Sequence, residues 1–319
     1  MNSRFTSMKF PDNKRFAFSI LDDTDDSTLD NVKPVYDALG SLGFRTTKTV
    51  WALNCPEGSR HFFAAETLQS KPYRDFIHTL VDQGFELAFH GATMESSDRE
   101  RTQLGLEFFK QEFGSYPKLF CNHGHNRENL YWGSKRFQSL FLRQLFRFCR
   151  LDARANYDGD EEGSPFFWGD LCKQHIKYVR NFTFYRLNML DVNPDMPYRL
   201  SKTPYVNYWF STADAPDVRA FNWLLSPNRI DQLVTDGGVC IVSTHFGKGF
   251  VRDGTLDPET AKILHYLSTR PGWFVPVSEI LDYLLGHRDR APELGFVQRL
   301  LLECRFVADK VANARKFPG

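Results

Sequence analysis

The chain predicts an α/β fold built on a parallel sheet or barrel, and three observations carry that reading. Strand-like runs alternate with helix-length patterns: strands at 16–21, 46–53, 85–89 and 118–121, with helices at about 29–42, 72–83 and 97–113 between them. Gly43, Gly84 and Gly114 each stand about one residue past a helical pattern, where a left-handed stop is expected. Four strand ends carry only Asp and His: Asp22-Asp23, His90, His123 with His125, and His245. In parallel α/β folds the carboxyl ends of strands form the functional face.

The elements follow in order. The run Phe16-Ala17-Phe18-Ser19-Ile20-Leu21 reads as a buried strand, and Leu29 opens the first helical pattern. From 127 to 235 the pattern is irregular, aromatic-rich and punctuated by Pro165, Pro194, Pro197, Pro204, Pro216 and Pro227, so long loops over the barrel mouth are expected. Order returns with a strand at 238–244, a helix near 257–268, the run Trp273-Phe274-Val275-Pro276 and a helix near 277–285. Residues 1–286 are read as the barrel domain. Residues 287–319 are read as a charged linker followed by an amphipathic helix from about 294 to 315, with Leu300, Cys304, Val307 and Val311 as its stripe.

A chain of 319 residues suits two domains or one α/β barrel. Forty basic against 39 acidic residues, net +1, argue against a nucleic-acid binder working through global charge. No stretch reaches the roughly 18 apolar residues of a membrane span, and residues 1–15 are polar, so the protein is read as cytoplasmic. Six widely spaced cysteines without a CxxC pair are expected to be buried free thiols.

Carboxylate and imidazole together suit a borderline divalent ion such as zinc, which in catalytic sites takes three protein ligands. A nearby unligated carboxylate can take a proton from water, and a separate His can protonate a leaving group. The side chains of a strand alternate, but a chain already turning can bring Asp22 and Asp23 into one cavity. The competing reading makes Asp22–Ser27 an acidic turn capping the helix from Thr28.

These motifs resemble the polysaccharide deacetylase family, the NodB-homology or carbohydrate esterase family 4 group, over roughly residues 15–286. The resemblance implies a distorted (β/α)7 barrel. Ile20-Leu21-Asp22-Asp23-Thr24 lines up with Thr-Phe-Asp-Asp-Gly, implying Asp22 as catalytic base and Asp23 as metal ligand. His90-Gly91-Ala92-Thr93-Met94 aligns with His-Ser/Thr-x-x-His; His90 carries over as a ligand, while Met94 replaces the second histidine. Gly114-Ser115-Tyr116-Pro117 leads into Asn122-His123-Gly124-His125-Asn126, where His123, or else His125, is expected to replace the missing ligand. Val242-Ser243-Thr244-His245 aligns with the closing Leu-x-His motif and implies His245 as general acid, whereas the fourth motif is not recognisable.

The resulting expectation is a metal-dependent hydrolase with one divalent ion, Zn2+, that removes an N-acetyl group from an amino sugar of a surface polysaccharide or its precursor. The alternatives are a degenerate glycan-binding or scaffold protein and an amidase or deformylase for a non-sugar amide. Trp132 and Trp168 are the favoured sugar-stacking rings, with Asn122 and His125 as polar contacts. Segment 135–154 sets Lys135, Arg136, Arg143, Arg147, Arg150 and Arg154 against Asp152, interleaved with Phe and Leu. That segment or 294–316 is expected to offer a peripheral contact with the inner face of a membrane.

Overall fold

Phe16–Asp22 forms β1 of the computed structural model, and all seven of its residues are buried, as a parallel strand covered on both faces requires. The structure describes residues 9–62, 64–148, 156–289 and 292–313. In chain order follow α1 (Leu29–Ser41), β2 (Thr47–Trp51), α2 (Lys71–Asp82), β3 (Glu86–Gly91), α3 (Arg99–Phe113), β4 (Leu119–Phe120), α4 (Leu140–Phe148), α5 (Gly169–His175), β5 (Tyr178–Phe184) and α6 (Met189–Val192). The second half holds β6 (Tyr208–Asp214), α7 (Val218–Leu224), α8 (Pro227–Asp236), β7 (Gly238–Thr244), the hairpin β8 (Val251–Arg252) and β9 (Thr255–Leu256), α9 (Pro258–Ser268), β10 (Gly272–Phe274), α10 (Val277–Gly286) and α11 (Phe296–Asn313).

Strands β1 to β7 pair in parallel in sequence order, and β1 returns to β7 to close a (β/α)7-type barrel. The closing seam runs in register from Phe16↔Gly238 to Asp22↔Thr244. On its other edge β1 meets β2 only at Leu21↔Thr47 and Asp22↔Lys48, because β10 occupies the flank of Phe16–Phe18. At this seam the barrel is therefore splayed at the amino end of β1 and closed at its carboxyl end.

The helix boundaries have local causes. Thr28 caps α1 in a reciprocal capping box with Asn31, so the helix start is satisfied without Asp22 or Asp23. Gly43, Gly84 and Gly114 take φ of 80°, 89° and 76°, the left-handed stops expected of them.

The middle region departs from the expectation of long loops: it contains two barrel strands, β5 and β6. Polar Arg180 and Asn181 interrupt the apolar run of β5, which hid its strand pattern. A register shift between Arg180 and Thr183 marks a bulge, so Arg180 and Phe182 reach different surroundings although two residues apart.

The C-terminal helix packs into the barrel wall. Phe306 lies 4.7 Å from Phe182 and 5.9 Å from Phe137 between ring centroids, and buried Glu303 accepts from the Gln138 and Ser139 amides. Lys310 reaches Asp214, at the end of β6, and donates to Thr183 at 3.0 Å. On α4, Leu142 is buried while Leu140, Phe141 and Phe148 are exposed. Residues 149–154 and 314–316 of the two segments expected to touch a membrane lie outside the described residues. No described helix is long and apolar enough to cross a membrane. Cys55, Cys121, Cys172 and Cys240 are buried free thiols, Cys304 is exposed on α11, and Cys149 lies outside the described residues.

Candidate functional site

The alternation of β1 separates its two terminal carboxylates. Asp22 is still inside the strand and faces the helical layer: Oδ2 accepts from Lys48 Nζ at 2.7 Å and from the Tyr36 hydroxyl of α1 at 3.0 Å, and Oδ1 accepts from the Phe246 amide at 2.8 Å. Both oxygens are engaged and the residue is fully buried. Asp23 faces the barrel lumen, because its partner Arg180 stands on β5, which is not a neighbour of β1 in the sheet. Arg180 donates to Asp23 Oδ2 at 2.6 Å and also to Ser243. Asp23 Oδ1 has no hydrogen-bond partner.

Two residues on, Asp25 returns to the lumen side and becomes the meeting point. Its Oδ1 lies 3.3 Å from His90 Nε2 and 3.5 Å from His123 Nε2, and its Oδ2 lies 3.4 Å from His245 Nε2. Asp23 stands behind this group, 4.0 Å from His90 Nδ1 and 4.0 Å from His245 Nε2. Three of the four sequence-expected strand ends thus converge through a carboxylate that the sequence pattern assigns to a capping turn.

Each imidazole is held differently. His123 Nδ1 pairs with Asn126 Oδ1 at 3.0 Å, and His245 Nδ1 donates to the Pro216 carbonyl at 2.8 Å, so both rings aim Nε2 at Asp25. His90 has no hydrogen bond at either ring nitrogen. It is set by packing: Trp51 lies 4.6 Å from its ring and 5.1 Å from that of His123. Gly91, at φ 147°, permits this wall, since a Cβ there would stand 3.0 Å from the indole.

Charge follows the same geometry. Burial works to raise the Asp25 carboxyl, but the His245 and His90 contacts hold it far below the usual carboxylate range. Burial likewise opposes ionisation of Asp23, and Arg180, His90 and His245 outweigh it to keep its pKa low. Burial depresses His123 despite Asp25, favouring neutral imidazole. For His245 the Asp25 and Asp23 carboxylates overcome burial and raise its pKa.

The donor chemistry fits a divalent ion. Among the described residues no three His, Cys, Asp or Glu side chains stand together as a ready-made metal site. Yet Asp25 Oδ1 and both His90 nitrogens are buried without hydrogen-bond partners. The 3.3 and 3.5 Å separations match the roughly 3.3 Å between neighbouring donors of a tetrahedral ion with bonds of about 2.0–2.1 Å.

Other expected residues lie elsewhere. Asn122 is buried and clamps its own loop through the Leu130 amide and carbonyl. His125 is exposed, its ring 6.4 Å from that of His123. Trp168 is fully buried against Phe120 and donates to the Glu128 carbonyl, so no sugar reaches its face. Trp132 is half-buried beneath the Arg136 guanidinium, 3.8 Å away. Met94 is half-buried beyond the end of β3. Sequence reasoning missed Asp25 and Arg180. The signal for Asp25 was the i, i+2 spacing from Asp23; Arg180 carried none, since nothing local tells of a partner on β1.

Neither a protein-family model nor a curated protein matches the sequence. Solved structures do match. A Pseudomonas aeruginosa PAO1 protein assigned as a polysaccharide deacetylase is 12% identical, with TM-score 0.52 over 88% of this chain and 94% of its own. A Mycobacterium smegmatis protein given the same assignment is 13% identical, with TM-score 0.51 over 90% and 96%. The Puue allantoinase is 12% identical, with TM-score 0.51 over 88% and 93%. At these identities the likeness concerns architecture, and the chain has the barrel fold of these polysaccharide deacetylase-like structures.

Proposed function

We propose that the protein is a metal-dependent hydrolase that removes an acyl group, acetyl foremost, from an amino sugar of a surface polysaccharide or its precursor. The observation that supports it is the convergence of His90 Nε2 and His123 Nε2 on the unpartnered Oδ1 of Asp25. Asp25, His90 and His123 would hold the ion, with zinc favoured by the mixed oxygen and nitrogen donors. When bound, such an ion polarises a carbonyl and acidifies water.

The roles therefore move along the chain from the sequence expectation, ligand from Asp23 to Asp25 and base from Asp22 to Asp23. Asp23 is ionised, anchored at Oδ2 by Arg180 and open at Oδ1, so it accepts the proton of the attacking water. As the carbon–nitrogen bond breaks, protonated His245 delivers its Nε2 proton to the departing amine. The products are a carboxylic acid and the free amino sugar. A cytoplasmic setting, with exposed Leu140, Phe141 and Phe148 beside Arg143 and Arg147 touching an anionic membrane, belongs to the same proposal; no co-sedimentation with anionic liposomes at low salt would remove the membrane part.

The test is metal content by mass spectrometry together with acetate release from N-acetylated sugars and from simple amides. Wild type and Asp23→Asn should carry about one ion per chain and Asp25→Asn none, with turnover lost in both variants. A wild type that takes up no zinc overturns the reading and leaves the catalytically silent glycan binder ahead. Turnover of simple amides alone would overturn the sugar substrate.

A further inference from the structure

Asn126 lies in the turn after β4, buried, and its side chain is surrounded by oxygen. Nδ2 faces the Thr93 carbonyl at 3.2 Å, the Glu95 carbonyl at 3.2 Å and Glu128 Oε1 at 2.9 Å. A backbone carbonyl cannot donate, so an amide turned the other way would set Oδ1 against two carbonyl acceptors and take from the buried Thr93 carbonyl the donor it has, the Glu95 carbonyl keeping that of the Thr93 hydroxyl. This holds whatever the state of Glu128, whose carboxyl burial pushes up to about 8. The orientation of the amide is thus fixed by atoms that do not belong to the site.

The consequence falls on His123. Asn126 Oδ1, an acceptor only, forms a hydrogen bond with His123 Nδ1 at 3.0 Å, whereas Asp25 Oδ1, 3.5 Å from Nε2, makes none, so neutral imidazole keeps its proton on Nδ1. Nε2 then carries the lone pair, and it is Nε2 that stands 3.5 Å from Asp25 Oδ1. We infer that Asn126 is a positioning residue that selects the Nδ1–H tautomer of His123 and so presents its Nε2 lone pair to the metal.

The arrangement explains how a histidine from the β4 turn can serve without a carboxylate behind it. Outer partners of ligating histidines fix ring and tautomer in this way. Glu128 holds the device in place: its second oxygen accepts from the Ser97 amide at 3.0 Å, and its carbonyl accepts from Trp168 Nε1 at 2.6 Å. Trp168, expected to stack on sugar, instead braces the turn that carries Asn126.

The metal half of this inference rests on the proposed role of His123; the tautomer half stands without it. The experiment pairs long-range 1H–15N correlation spectra of metal-free protein with zinc affinity by chelator competition, on wild type, Asn126→Leu and Arg127→Ala. The His123 signals are assigned by their loss in His123→Gln. Arg127 bonds Asp158 at 2.5 Å from the same turn and serves as the control for mere loosening. The wild type should show Nδ1–H at His123. Asn126→Leu should mix the tautomers and weaken zinc binding about 10- to 100-fold, while Arg127→Ala leaves the affinity at the wild-type value. A wild-type His123 protonated at Nε2 overturns the inference even if Asn126→Leu fails to fold. Unchanged zinc affinity in a folded Asn126→Leu overturns its metal half. No zinc uptake by wild type overturns the proposed function, and the tautomer then decides the rest.

Discussion

Asp22 and Lys48 are register neighbours on β1 and β2, and they form an ion pair at 2.7 Å with both side chains fully buried. The carboxylate also holds Tyr36 of α1 and the amide of Phe246, the residue after His245. One side chain therefore ties the acidic segment to the start of β2 and to the turn carrying the proposed acid.

Asp22→Asn should destabilise the fold by about 3–5 kcal/mol, because it leaves a buried ammonium without its counter-charge. Urea unfolding checks this, with metal uptake measured below the transition. Loss of turnover without loss of stability would instead make Asp22 the base.

Arg180→Met should raise the Asp23 pKa, since Arg180 is the largest opponent of its burial. A depressed carboxylate contributes stability above its unfolded pKa of about 3.9, lost as pH falls through the folded value. The variant should therefore lose activity and stability at higher pH on the acid side than wild type. Parallel pH–rate and pH–melting profiles measure the displacement.

His245 is raised, which gives the opposite sign. Its contribution to stability is complete below the unfolded value of about 6.5 and disappears as pH rises through the higher folded value. In metal-free protein its NMR titration should lie above 6.5, the ordinary value, and fall in Asp25→Asn. A His245 titrating below that value in the wild type would contradict the arrangement.

Phe306→Ala in α11 should cost about 3–5 kcal/mol, as a buried ring lost from a packed cluster does. Its neighbours Phe182 and Phe137 belong to the barrel side, so differential scanning calorimetry should show one cooperative transition shifted downward. A separate early transition for the helix would show that α11 is not integral to the barrel.

Much of the site was legible because it sits at strand ends. His90, His123 and His245 could be singled out since a buried apolar run that stops at a lone imidazole is a local signal, and three of them on one face converge once strands are parallel. The pair Asp22-Asp23 was legible as important, but not as divergent.

The sequence by itself determined the βα repeat, the glycine stops and the strand-end imidazoles, because periodicity and capping act over a few residues. The tertiary structure decided the rest. Whether β1 was still a strand at Asp22 fixed which carboxylate faced helix α1 and which faced the lumen. Arg180, 157 positions from Asp23, joined it only when the barrel closed. Asp25 became the hub for the same reason: contacts across a barrel depend on which strands lie opposite, and no local pattern records that.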